Sequence, residues 1–420
     1  MKRTLLILTL ILCASLASSA QDARNPQLEA LLRENIFRTG VNTNPYEYIK
    51  TPETPVPAGF KPFYISHYGR HGSRSDWEGD IYSKALDGYT RAHEAGLLTE
   101  EGEKAFRTVS EIVALHNHMD GRLTARGCRE HRQIAGRMFS KYSKVFKSKP
   151  RVRAVSSTSP RCIVSMAAFT GELLSRYSKL FVSWDTGDAF MQYCSSVDPD
   201  DVREEAYKLI IEHAQAHPFD SVQFYGRIFK DVEKSREVLG NLYEIGNGSF
   251  AIAAICGSFD YDDFMLRLFT EDDRYWYAQN VSMNLYLRQC NSKEFGDRRM
   301  AVPETEAIVE EVVSKAEEAI AGGQWAADLR FGHDYQLLAI CSRLGIKGIA
   351  ERMDAKECLD WPGYLYSPFA GNLQMVFYRN RKGEVLVKFF INERETSLIT
   401  LPGGPYYKWE DVKEAFKTCP

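Results

Sequence analysis

Apolar and polar positions follow recognisable periods along most of the chain. Phe60 to Tyr68 gathers aromatic and β-branched residues ahead of Gly69–Gly72, which predicts a short buried strand. From Ser83 to about His118 the period is helical, broken near Gly96–Leu98 and restarted at Thr99-Glu100-Glu101. A further helix is predicted from about Thr124 to Tyr142, then a strand over Arg151–Ser156. Ser157-Thr158-Ser159-Pro160 next opens the apolar run Ile163–Leu174. There a Ser or Thr caps the helix, and Pro160 occupies a first turn that needs no amide donor. Pro303 opens another helix, with Ile308, Val309, Val312, Val313, Ala316 and Ile320 on one face and Gly322-Gly323 ending it. Ala327–Gly332 predicts a strand and Tyr335–Leu344 a helix. Leu373–Tyr378 and Val385–Asn392 predict a hairpin turning through Arg381-Lys382-Gly383.

Two regions read differently. Residues 21–60 are expected to form an irregular arm that ends in the proline run Pro52–Pro62. Residues 198–295 carry helical patterns rich in Tyr, Phe and Asp with few strand signals, as expected of a mostly α-helical inserted domain. Its aromatics Tyr225, Phe259, Tyr261, Tyr275, Trp276 and Tyr277 are expected to be core. Strands alternating with helices elsewhere imply an α/β fold: a mainly parallel central sheet with helices on both faces, built from residues 21–197 and 296–420.

Composition narrows the class. The 420 residues are 44% hydrophobic and 26% charged, which excludes wholesale disorder. Lys and Arg number 53 against 56 Asp and Glu, a net charge of −3 that argues against a nucleic-acid partner. Lys2 and Arg3, the apolar run Leu5–Leu16, and small Ser18 and Ala20 have the form of a secretory signal peptide over residues 1–20, cleaved after Ala20. Leu12 disfavours a lipoprotein reading through Cys13. The expected mature protein is secreted or periplasmic, with no membrane anchor. Its eight cysteines permit disulfides of open connectivity, but none forms a C-x-x-C pair, so neither a zinc nor a redox site is expected. Cys162, Cys256 and Cys341 lie in apolar stretches and read as buried; His116 and His118 read as surface residues rather than metal ligands.

Ligands of parallel sheets bind beyond the carboxyl ends of the strands. Three segments fall there: Arg70-His71-Gly72-Ser73-Arg74, Arg161, and His333-Asp334. Two guanidiniums around one imidazole suit a dianion better than a core, because like charges repel unless something between them is negative. The cations are expected to hold His71 neutral and nucleophilic, with Gly72 letting backbone approach the ligand.

Arg-His-Gly-x-Arg after a strand resembles the signature of the histidine acid phosphatases, the branch of the histidine phosphatase superfamily that includes phytases. The rest of that pattern is present: Ser156-Ser157-Thr158-Ser159-Pro160-Arg161, Leu329-Arg330-Phe331-Gly332-His333-Asp334, and Leu123-Thr124-Ala125-Arg126-Gly127. Ser159-Pro160-Arg161-Cys162, Pro368-Phe369-Ala370-Gly371-Asn372 and Phe390-Ile391-Asn392-Glu393 resemble the multiple inositol polyphosphate phosphatases in particular. Asp76 stands where the family usually has Pro, and His333-Asp334-Tyr335 stands where that subgroup has His-Ala-Glu.

The resemblance implies a phosphomonoesterase acting on a small phosphate ester, phytate-like, with no cofactor and no metal. His71 would be the nucleophile and Asp334 the general acid, while Arg70, Arg74, Arg161 and His333 would hold the phosphate. Arg227, Lys230, Lys234 and Arg236 are further candidate cations for a polyphosphate. The alternatives are a broad acid phosphatase on sugar phosphates or bisphosphoglycerate, a mutase of the phosphoglycerate type, and a secreted binding protein without turnover.

Overall fold

The computed structural model describes residues 24–76 and 79–418; the leader with its cleavage site, Cys13 and Cys419 lie outside them. An arm of helix α1 (Pro26–Glu34) and a 3-10 segment (Ile36–Thr43) leads into strand β1 (Lys61–Arg70). Helices α2 (Asp80–Glu94), α3 (Glu100–His116) and α4 (Ala125–Ser148) follow, then β2 (Arg151–Ser156), α5 (Pro160–Arg176), β3 (Phe181–Thr186) and α6 (Asp188–Cys194). The helical stretch comprises α7 (Asp200–Ala216), α8 (Ser221–Ile228), α9 (Val232–Leu239), α10 (Tyr243–Ile255), α11 (Phe264–Arg267) and α12 (Glu271–Gln289). After α13 (Gly296–Met300) and α14 (Pro303–Ile320) come β4 (Ala327–Gly332), α15 (Asp334–Arg343) and α16 (Gly363–Tyr366). The chain ends with β5 (Asn372–Arg379), β6 (Val385–Ile391), β7 (Arg394–Thr396), β8 (Tyr406–Lys408) and α17 (Trp409–Thr418).

The eight strands form one sheet in the order β3-β2-β4-β1-β5-β6-β7, with β8 also on β6. The expected parallel arrangement holds for β3, β2, β4 and β1. From β1 onward the hairpin continues antiparallel, so the sheet is mixed. All three chemistry-bearing segments leave parallel strands at one end. Arg70↔Gly332 and Ser156↔Phe331 are in register, which brings the segments after β1, β2 and β4 side by side.

The period of two sorts β4 between its faces. Leu329 and Phe331 enter the core under α4 and α5. Asp328 and Arg330 face the α14 side, where Arg153 and the Tyr64 hydroxyl hold the first, and Glu311 (2.5 Å) and Ser66 hold the second. This buried charge is tolerable because it is paired.

Several local expectations are corrected. The arm is not irregular: Asn25 caps α1 by accepting from the Gln27 amide (3.0 Å), Pro26 sits in the first turn, and Leu28 and Leu32 bury one face. Strand β3, which no pattern singled out, pairs with β2 at the sheet edge. Ser159 occupies the N-cap of α5 but makes no side-chain cap bond. His116 is buried, not on the surface, while His118 is exposed. The helical stretch shares its cores with the rest of the chain: α8, α10 and the segment 264–269 pack with α2 and α3, whereas α7 and α12 pack with α14, α15 and the sheet. Its six named aromatics are buried or half-buried. The seven described cysteines are free thiols, six of them buried. No described helix is long and apolar enough to cross a membrane.

His67 and His131 lie in the core beneath the site, against Phe169 and Phe331 at 5.0–6.4 Å between ring centroids. Burial, above all, pushes both imidazoles from 6.5 to about 3. The unfolded chain therefore takes up protons that the folded one refuses. Stability contributed above pH 6.5 is lost as pH falls toward 3, by up to about 1.4 kcal/mol per pH unit for each group. His131→Leu should flatten this slope, as read from urea midpoints between pH 7 and pH 4.

Candidate active site

His71 immediately follows β1, and its position is set by backbone. Its amide donates to the Gly332 carbonyl (2.9 Å), and its carbonyl accepts from the Ala370 amide (2.9 Å). The ring's Nδ1 lies 3.0 Å from the Gly72 carbonyl. A carbonyl only accepts, so Nδ1 carries the hydrogen and Nε2 keeps a lone pair. Burial is the largest cause of an imidazole pKa well below 6.5, followed by Arg70, Arg161, His333 and Arg74. Sequence reasoning had assigned that depression to the cations alone; desolvation outweighs them.

Arg70 is fully buried. Its Nη1 donates to the carbonyls of Asn42 (2.7 Å) and Ser367 (2.8 Å), its Nη2 pairs with Asp334 Oδ2 (3.1 Å), and Phe369 lies under the guanidinium at 4.8 Å. Burial lowers its pKa to about 10 against the pull of Asp334. Arg74 donates to the Ser75 carbonyl (2.7 Å) and pairs with Asp76 (3.5 Å), with Phe369 5.8 Å away. Arg161, at the start of α5, donates to His333 Nδ1 (3.3 Å). A guanidinium cannot accept, so His333 holds its hydrogen on Nε2, which donates to Ser157 Oγ (3.1 Å). Burial, then Arg161, pushes His333 down to about 3. Both imidazoles are thus neutral within a group of three guanidiniums and two carboxylates.

Asp334 opens α15. Its Oδ2 accepts from the Asn42 amide (3.0 Å) and its Oδ1 from the Tyr335 backbone (3.1 Å). Burial favours the neutral acid, but Arg70, Asn42 and His333 outweigh it and hold the carboxyl below its ordinary value. Among these partners it is a carboxylate at neutral pH.

Gly72 also serves the packing of the loop. A Cβ there would lie 2.6 Å from the Gly127 carbonyl oxygen, and one on Gly127 would lie 2.3 Å from the Ser73 carbonyl oxygen. The two glycines let α4 abut the loop directly. Thr124 completes the clamp: its Oγ1 accepts from the Gly127 amide and donates to the Ser73 carbonyl (3.1 Å). Buried Glu130, one turn on, accepts from the Ser73 amide (2.8 Å) and hydroxyl (2.7 Å). This explains the Leu123-Thr124-x-x-Gly127 pattern as loop support. Pro368–Asn372 likewise closes over the end of β1, with the Arg70 amide donating to Gly371 (2.8 Å).

All six residues singled out from the sequence therefore converge. Asp76 sits beside Arg74 and accepts from the Tyr82 hydroxyl (3.1 Å); its carbonyl accepts from His116 Nε2 (3.1 Å). Arg227 and Lys230 donate instead to the carbonyls of Arg267 (2.6 Å) and Gly96 (3.0 Å). Arg236 pairs with Glu233, and Lys234 is exposed on α9. Among the described residues none of these four hydrogen bonds with the site. Asn42, Phe369 and Ser157 were missed as site residues; only Phe369 and Ser157 lay in quoted motifs. No group of His, Cys, Asp and Glu that could hold a metal occurs among the described residues.

No family model matches the chain, and no curated protein matches it by sequence. Solved structures do. The multiple inositol polyphosphate phosphatase of Bifidobacterium longum in complex with inositol hexasulfate superposes with a TM-score of 0.70 at 16% identity, covering 90% of this chain and 97% of that one. The phytase from D. castellii gives 0.66 at 16% identity, over 95% and 88% of the two chains. The fold is therefore the one these phosphatases share.

The glycine contact generates a test. Gly72→Ala should lose roughly 1–3 kcal/mol of stability through overpacking against α4, in urea unfolding. Gly171→Ala, inside α5 where a Cβ meets nothing within 4 Å, should instead hold the midpoint or raise it, by up to about 1 kcal/mol from helix propensity.

Proposed function

We propose that this chain is a histidine acid phosphatase: a phosphomonoesterase working through a phosphohistidine, with inositol polyphosphates as its substrates. The observation that carries the reading is the unprotonated Nε2 of a neutral His71, among Arg70, Arg74, Arg161 and His333.

In this mechanism Nε2 attacks phosphorus in line and the ester P–O bond breaks. The electron pair leaves on the alkoxide oxygen, which takes a proton from Asp334. The guanidiniums, with neutral His333 orienting Arg161 among them, stabilise charge on the phosphoryl oxygens, the main requirement of phosphoryl transfer. Water then attacks the phosphohistidine and returns its proton to Asp334, and phosphate leaves. Without an anion beside it Asp334 is a carboxylate. A phosphate dianion beside it neutralises Arg70 and raises its pKa, so the acid form accompanies bound substrate. Because the proton is needed, activity should fall as pH rises above the acidic range.

The inositol assignment draws on the fold shared with an inositol polyphosphate phosphatase bound to inositol hexasulfate and with a phytase. It also draws on the Pro368–Asn372 segment, which lays Phe369 under Arg70. The leader read in the sequence supports a location outside the cytoplasm, secreted or periplasmic. Phosphate release from phytate, glucose phosphates, bisphosphoglycerate and an aryl phosphate, with EDTA present, tests the substrate class. A strict preference for sugar phosphates would overturn the inositol assignment, and no release from any ester would favour a binding protein.

His71→Ala should abolish turnover without unfolding the protein, and rapid quenching of the wild type with radioactive substrate should trap an acid-labile, base-stable phosphoenzyme. Asp334→Asn should slow alkyl phosphates by about 100-fold or more but an aryl phosphate far less, since a good leaving group departs unprotonated. Arg161→Ala should impair both substrates alike, by roughly 3 kcal/mol in kcat/KM. Equal impairment of both esters by Asp334→Asn would remove it as the leaving-group acid and turn attention to Asp76.

A further inference from the structure

The arm ahead of β1 reaches into the site at one residue. Asn42 donates from Nδ2 to Asp334 Oδ2 (3.0 Å), and its main-chain carbonyl accepts from Arg70 Nη1 (2.7 Å). Arg70 Nη2 pairs with the same Oδ2 (3.1 Å), so the three residues close a ring. The backbone that aims Asn42 is held from both sides, independently of its side chain. Thr43 Oγ1 donates to the Ala254 carbonyl (3.0 Å), and the Asn44 carbonyl accepts from the Phe369 amide (2.9 Å). A Cβ on Gly40 would lie 2.7 Å from the Ala254 carbonyl oxygen, so the arm lies directly on the end of α10. Val41, buried and β-branched, is held at φ 49°, ψ −99°, where such residues are rarely found. A strained residue next to one with two contacts in the site indicates that the direction of Asn42 matters.

The chemistry of the amide supplies the role. Among the groups facing Asp334, the guanidiniums of Arg70, Arg74 and Arg161 favour only its charged form. His333, Tyr335 and Cys162 complete that surround. A carboxamide is different: as placed it donates to a carboxylate, and turned by half a rotation it accepts from a carboxylic acid. We propose that Asn42 is the positioning residue of Asp334, holding its carboxyl in both protonation states so that one orientation serves proton donation to the leaving group and proton recovery from water. This inference rests on the reading of Asp334 as general acid.

The test compares wild type, Asn42→Leu, Asn42→Asp and Asp334→Asn on phytate and p-nitrophenyl phosphate. Asn42→Leu keeps the carbonyl that holds Arg70, so KM should stay within about twofold while kcat on phytate falls about tenfold or more, with a much smaller loss on the aryl ester. Without its donor the carboxylate is less stable, so the alkaline limb of kcat/KM should move to higher pH. Asn42→Asp, nearly identical in shape, should move it further through like-charge repulsion. Unfolding midpoints read alongside separate a folding defect from a catalytic one, since Asn42→Leu adds no charge and Asn42→Asp keeps the shape. If Asp334→Asn discriminates between the esters but the Asn42 variants hit both equally, or leave the pH limb in place, Asn42 is merely structural and the proposal is overturned. If Asp334→Asn itself does not discriminate, the acid assignment fails and takes this proposal with it.

Discussion

The ion pair of Arg70 with Asp334 is the constraint on which the rest of the site depends. A guanidinium with almost no solvent contact is costly to bury, and here two more guanidiniums converge on the same pocket. At about 4 Å, like charges repel by roughly 4 kcal/mol even at an effective dielectric of 20. The two carbonyls on Arg70 and the carboxylate offset that burial, and the pocket retains an excess of positive charge. The same field, added to burial, keeps His71 and His333 neutral. One electrostatic arrangement therefore leaves the pocket positive and His71 Nε2 with its lone pair.

Holding charges that repel requires a frame that does not yield, and backbone supplies it. The loop bearing His71 is fastened to β4 through Gly332, to Pro368–Asn372 through Ala370 and Gly371, and to α4 through the two opposed glycines. Glu130 and Thr124 complete the attachment. A loop tied on three sides by main chain is thereby held against the repulsion of the charges it carries.

Much of this was legible along the chain, for reasons that can be named. Arg151–Ser156 and Ala327–Gly332 were placed to the residue because strand period and turn residues are local signals. The six site residues were found because chemistry that needs a dianion pocket concentrates unusual residue types next to strand ends. Asn42 carried no such mark: an Asn in an arm before a proline run looks like any loop residue. The contact of Gly72 with Gly127 left no local signal, since it joins residues 55 positions apart in sequence. His116 was placed on the surface because a lone histidine near a helix end gives no sign of what covers it.

By itself the sequence determined the alternation of strands and helices, the buried faces, and the set of charged and imidazole groups gathered beyond the strand ends. These follow from period, composition and short motifs, all of which act within a few residues. Tertiary structure alone decided the antiparallel continuation of the sheet, the sharing of cores between the helical stretch and the rest, the tautomers of His71 and His333, and the protonation of Asp334. Each depends on which distant groups come within hydrogen-bonding or Coulomb range: the Gly72 carbonyl and Arg161 for the imidazoles, Arg70 and Asn42 for the carboxylate. Proton positions are set by the surrounding field, and that field exists only once the chain has folded.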